Sequence, residues 1–190
     1  MNATTTIDPT TMTTWRIDPA HTHVEFSVKH LMIAKVKGRF AGVAGTVALV
    51  PGLAGSTVDV SIDTASIDTR DAKRDAHLRS ADFFDVEHHP AITFRSRQVL
   101  PTGMGELGII GDLTIRGVTR EVRLEVSDEG RGTDPWGGER AGFSATTQVD
   151  RRDFGLTWNQ ALETGGVLVG NDIRIALEVE LVKEAAAEAA

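Results

Sequence analysis

The sequence predicts an all-β fold, a closed antiparallel barrel of about eight strands with one or two short helices in the connections. Three observations predict it. Apolar and polar residues alternate with a period of two along most of the chain. Turn signals such as Pro51-Gly52, Pro101 to Gly103 and Arg116-Gly117 separate the alternating runs. The 190 residues, 41% hydrophobic and 25% charged, suit one soluble domain with a sizeable core.

The first 14 residues are Thr-rich and polar and are expected to form a flexible tail. They lack the basic start and apolar middle of a secretory signal, so a cytoplasmic location is expected. A short strand follows at residues 15–18. In the next run Val24, Phe26 and Val28 alternate with Glu25, Ser27 and Lys29. Further on, Val58, Val60 and Ile62 alternate with acidic and hydroxyl residues, and Ile92 and Phe94 with Thr93 and Arg95. Residues 109–115 read as another strand, followed by Val122, Leu124 and Val126. Ile173, Ile175, Leu177, Val179 and Leu181 make the last run. Successive strand residues point to opposite faces, so each run has one apolar and one wet face, as antiparallel sheets do. Closing the sheet removes exposed edges.

Two segments interrupt the pattern. Residues 71–84, DAKRDAHLRSADFF, suggest a short helix within a long connection. Residues 158–170 are irregular and Gly-rich near their end. Long connections often line a mouth or act as a lid. The barrel domain is thus expected over residues 15–182, with residues 183–190 as an Ala/Glu-rich flexible tail.

Several functions are disfavoured. With 20 basic residues scattered among 27 acidic ones and a net charge of −7, no nucleic-acid partner is expected. No apolar run is long enough for a membrane helix, so no stable membrane insertion is expected. There are no cysteines, hence no disulfide, thiolate metal site or cysteine nucleophile. Residues 103–108, GMGELG, match a dinucleotide fingerprint literally, but a strand follows where a helix is needed. Asp153-Phe154-Gly155 resembles a kinase triplet without its companion motifs, and no G-x-S-x-G elbow is present.

His21 and His23 form a His-x-His pair that one strand face would present together, and Glu25 offers a third ligand. A metal-assisted or acid/base enzyme on these three residues is one alternative. A solidly packed barrel serving as an interaction module, with no ligand, is another. An eight-stranded barrel is wide enough either to be filled by side chains or to hold one small ligand.

The order of several segments also resembles the YceI-like family from Trp15 to Leu181. Residues 15–23 (WRIDPAHTH), 26–31 (FSVKHL) and 36–40 (VKGRF) begin the match. SIDT at 66–69, Arg74-Asp75, HLRS at 77–80 and DFFD at 82–85 continue it. PAITF at 90–94, GDLTIRGVT at 111–119 and DRRDFG at 150–155 complete it. The resemblance implies a lipocalin-like barrel and a non-catalytic carrier or store for a polyisoprenoid or other long-chain lipid. It implies no catalytic residues, no metal and no cofactor besides that ligand. The expected apolar lining is Phe26, Val28, Phe40, Ile62, Phe94, Phe143 and Trp158. His30, Arg74 and Arg151 are the expected donors to a polar head group, with barrel-closing ion pairs as their other reading. Relatives dimerise, so a homodimer covering the barrel mouth is a further expectation.

Overall fold

A computed structural model describes residues 12–163 and 165–185. Eleven β segments make one sheet: β1 (Thr13–Ile17), β2 (His23–His30), β3 (Ala34–Phe40), β4 (Val43–Leu49), β5 (Thr57–Asp63), β6 (Ile67–Asp68), β7 (Ala91–Pro101), β8 (Glu106–Ile115), β9 (Val118–Thr133), β10 (Glu139–Asp150) and β11 (Val169–Lys183). They run in the order β1-β4-β5-β7-β8-β9-β10-β11, and β11 returns to β1, closing an eight-membered antiparallel ring.

The eleven segments are eight strands, three of them broken. One edge of β11 pairs first with β2, through Val169↔His30 to Glu178↔His23, and then with β1, through Leu181↔Ile17 and Lys183↔Trp15. β1 and β2 are thus two halves of one strand with an excursion at residues 18–22. β3 and β4 pair with those halves and part at residues 41–42. β5 pairs with β4 and β6 with β3, parting at Thr64–Ser66, a single 3-10 turn. The three breaks lie side by side.

The expected barrel is therefore the observed one. β1 begins at Thr13, two residues before the expected domain start, and Lys183 ends β11 one residue past the expected end. Residues 1–11 and 186–190 of the expected tails lie outside the described residues.

The two ends differ. The lower end carries the turns at 50–56, 102–105 and 134–138. The upper end carries the β2–β3 turn, the connection 69–90 and the connection 151–168. In the first connection α1 spans Ala72–Arg79. It starts where Asp71 caps it, its carboxylate accepting from the amides of Lys73 and Arg74 at 3.1 Å each. Its anchor is polar: buried Asp75 accepts from the Thr69 amide at 2.9 Å and hydroxyl at 2.5 Å. In the second connection a 3-10 turn, Arg151–Phe154, is capped by Asp150 and ends at Gly155, whose φ of 75° suits glycine. The literal fingerprint at 103–108 is the β7–β8 turn and the start of β8, and no helix follows it.

Candidate ligand-binding cavity

The period-two pattern sets which side chains meet inside. Along β8, Leu107, Ile109, Leu113 and Ile115 are buried, and along β11, Ile173, Ile175, Leu177, Val179 and Leu181 share the inner face. These faces do not fill the interior. A cavity of about 260 Å³ lies between them, near the lower edge of the ~300–1,000 Å³ usual for small-molecule sites. Its wall is apolar apart from Thr22, Glu25, Ser56, Thr147 and Arg151. A hollow interior removes the ground for the packed-core alternative.

Of the expected lining, Phe26, Val28, Phe40, Ile62, Phe94 and Phe143 all border this cavity. Trp158 does not. It lies half-buried at the upper end, stacked edge-on against His77 at 4.7 Å and tilted against Phe83 at 5.3 Å. Those contacts join the 151–168 connection to α1 and its following turn. Leu78, Phe83, Phe84, Phe154 and Leu156, from the same two connections, cap the cavity from above. The sequence marks such connections as material for a mouth or lid but singles out none of these five residues, because irregular segments carry no periodicity that marks an inner face. The DFFD run, with two adjacent aromatics in a polar stretch, was the available signal.

Two glycines shape the wall. A Cβ on Gly111 would lie 2.4 Å from the Arg95 carbonyl oxygen and 2.5 Å from the Phe94 ring. A Cβ on Gly38 would lie 2.4 Å from the Phe26 ring. Each glycine lets an aromatic ring lie across a neighbouring strand. Gly111→Ala is expected to cost about 1–3 kcal/mol through overpacking, read by urea denaturation, and to tilt Phe94 into the cavity.

The three expected head-group donors do not converge. Arg74 is committed to Thr69, donating from Nε to the hydroxyl at 2.7 Å and from Nη2 to the carbonyl at 2.8 Å. His30 is half-buried at the upper end of β2, opposite Val169, and does not line the cavity. Arg151 alone borders it, and is 4% exposed. Its Nε donates to the Gly170 carbonyl at 2.9 Å, and its Nη1 to those of Leu156 and Trp158 at 2.6 and 2.8 Å. Burial lowers its pKa from the ordinary arginine value.

His21, His23 and Glu25 are not brought together as a metal-ligating set. His21 lies in the excursion before β2, so it does not share a strand face with His23. Its ligating group among the described residues is Asp18 and Glu180, with one atom of each within 4.8 Å of the others. Arg140 already occupies that group, donating from Nη1 to Asp18 at 2.6 Å and to Glu180 at 2.7 Å. A cation there would meet a guanidinium, which makes the cluster an ion-pair clasp between the excursion, β10 and β11. Sequence reading missed it because Asp18 and Arg140 are far apart in the chain.

This clasp has a pH signature. The hydrogen bond from His21, with help from the Ala20 amide and Arg140, lowers the Asp18 pKa from 3.8 to about 2. The same bond to Asp18, with the charge of Glu180, raises the pKa of His21 from 6.5. The Asp18 contribution to stability is present above pH 3.8 and is lost as pH falls toward 2. The His21 contribution is complete below pH 6.5 and is lost as pH rises through the raised value. Asp18→Asn is therefore expected to lower Tm most between pH 3.8 and 6.5. The gap from wild type should narrow on both flanks and with added salt, read by circular dichroism melts.

Comparison with known proteins agrees with this architecture. The YceI-like domain family matches residues 15–181. A "UPF0312 protein" of Vibrio cholerae is 43% identical over 138 residues, covering 72% of this chain and 73% of that protein. The solved YceI protein of Campylobacter jejuni is 30% identical, with a TM-score of 0.70 over 83% of this chain and 90% of that one. A structure described as a polyisoprenoid binding domain from Saccharophagus degradans is 13% identical. Its TM-score is 0.65, over 90% of this chain and 98% of that one, and shows a shared fold.

Proposed function

Given that this chain belongs to the YceI-like domain family, its match running over residues 15–181, we propose that it is a non-catalytic binding protein for an isoprenoid or other long-chain lipid. The observation that carries the reading is the hollow, almost wholly apolar barrel interior of about 260 Å³. The polyisoprenoid binding domain that shares the fold supports the choice of ligand class.

Burial alone can drive such binding. Each methylene withdrawn from water contributes about 0.8 kcal/mol, so ten contribute roughly 8 kcal/mol before the costs of association and chain ordering. The small volume favours a thin linear or methyl-branched chain over a fused ring system. One polar contact then suffices to set direction. The Arg151 Nη2 makes no hydrogen bond among the described residues, while Nε and Nη1 hold it at the cavity wall. It is the donor this reading assigns to a polar head group.

Organic extraction of protein prepared without detergent, followed by mass spectrometry, tests the proposal. A co-purifying long-chain lipid, or stoichiometric uptake of an added isoprenoid probe, is expected. Recovery of no lipid together with no uptake of the probe would overturn it.

A further inference from the structure

The turn between β2 and β3 exposes three consecutive apolar side chains: Leu31 is 37% exposed, Met32 51% and Ile33 87%. The backbone conformation does not call for them. Leu31 has a φ of 52° and Met32 of 61°. The left-handed region favours Gly, Asn and Asp, and bulky residues there are uncommon. A turn with two such positions is ordinarily Asn-Gly or similar. The tip is nonetheless held in place. The Leu31 amide donates to the Leu168 carbonyl at 2.9 Å, and the Ile33 amide to that of His30 at 3.2 Å. A braced turn thus carries apolar residues that neither its own conformation nor burial explains.

Three lysines of the β2–β3 hairpin stand beneath the tip. Lys29 and Lys35 face each other across the hairpin, and Lys37 stands two pairs further down, opposite Ser27. All three lysines are exposed, and none is within ion-pair distance of a carboxylate among the described residues. Most arginines of the described residues, by contrast, are paired with Asp or Glu. The chain as a whole carries −7.

We propose that the Leu31–Met32–Ile33 tip docks into the surface of an anionic lipid bilayer, with Lys29, Lys35 and Lys37 on the headgroup phosphates. Apolar side chains enter the interfacial zone while lysine stems reach to the headgroups. The acidic remainder of the molecule is repelled by the same surface, so it approaches tip first. Docking depends on the tip and its charges, whatever the cavity holds.

Cosedimentation with vesicles of phosphatidylcholine, alone or mixed with phosphatidylglycerol, tests this. Binding is expected only to the anionic vesicles and should weaken as salt is raised. Lys29→Gln, Lys35→Gln and Lys37→Gln together should lower partitioning by about a hundredfold, at about fivefold per lysine charge near the surface. Leu31→Asn with Met32→Gly should also release the protein. Its melting temperature should not fall, because those residues suit the turn. Unchanged sedimentation in either variant overturns the proposal, as does a wild type that sediments with neither vesicle. So does a dimer that Leu31→Asn with Met32→Gly dissociates while no vesicle binds. Ala145→Phe, which narrows the cavity, should lose an isoprenoid probe and keep vesicle binding, so the two readings fail separately.

Discussion

Replacing Arg151 with alanine is expected to destabilise the barrel by about 4 kcal/mol. The guanidinium is buried and holds three carbonyl oxygens, of Leu156, Trp158 and Gly170. A hydrogen bond to a charged group contributes about 1.5–3 kcal/mol, and a buried partner left unpaired costs its full desolvation penalty. Three such bonds on one side chain are not additive, which sets the estimate below their sum. Tm should fall by about 8–16 °C, at 2–4 °C per kcal/mol for a chain of this size. Arg151→Lys should recover less than half, because a single ammonium cannot span carbonyls that the planar fork reaches together. Chemical denaturation of the three proteins measures this. A loss below about 1 kcal/mol for the alanine variant would show that the upper connection is held by its aromatic contacts alone.

Ala145→Phe is expected to weaken isoprenoid binding more than a hundredfold. Ala145 is on the inner face of β10, between Phe143 and Thr147, and opposite Leu177 of β11 and Val126 of β9. A phenyl group there occupies space that about four ligand methylenes would take, and about 3 kcal/mol of burial is lost with them. Stability should change by less than about 1.5 kcal/mol, because the ring enters a void rather than a packed core. Titration with a fluorescent isoprenoid analogue, paired with a thermal melt, separates the two quantities. Unchanged affinity in a folded variant would place the ligand outside the barrel.

What the sequence made legible follows from period two. Val24, Phe26 and Val28, or Ile173 through Leu181, declare an inner face because water is on the other side of each strand. Six of the seven expected lining residues border the cavity, and four of them, Phe26, Val28, Ile62 and Phe94, come from such runs. Trp158 has no strand to orient it, and it stacks in the cap instead of lining the cavity. Likewise the His-x-His spacing suggests one strand for His21 and His23, whereas the chain leaves the ladder at Asp18 and rejoins it at His23. No alternation predicts such an excursion, since it is imposed by how β1 and β2 divide one edge of β11. The short helix was legible in residues 71–84, where the strand alternation stops. The carbonyl bonding of Arg151 was not, because backbone acceptors leave no mark in a residue string. The Arg140 clasp needs partners from three separate segments, which only the closed fold brings together.

The division of β11 between β1 and β2 has a consequence for how the protein is made. The ring closes only when β11, the last strand, pairs with β1 and β2, so one wall is missing while the ribosome is still working toward Lys183. During that interval the nascent chain holds an open meander whose two unpaired borders are both available to other chains. Contacts between such distant segments form slowly, because a long loop must close before they are rewarded. The period of greatest risk in the life of this molecule is thus the interval between synthesis of β10 and the docking of β11. Lesions that slow that docking should appear as aggregation in the cell even where the finished barrel is stable.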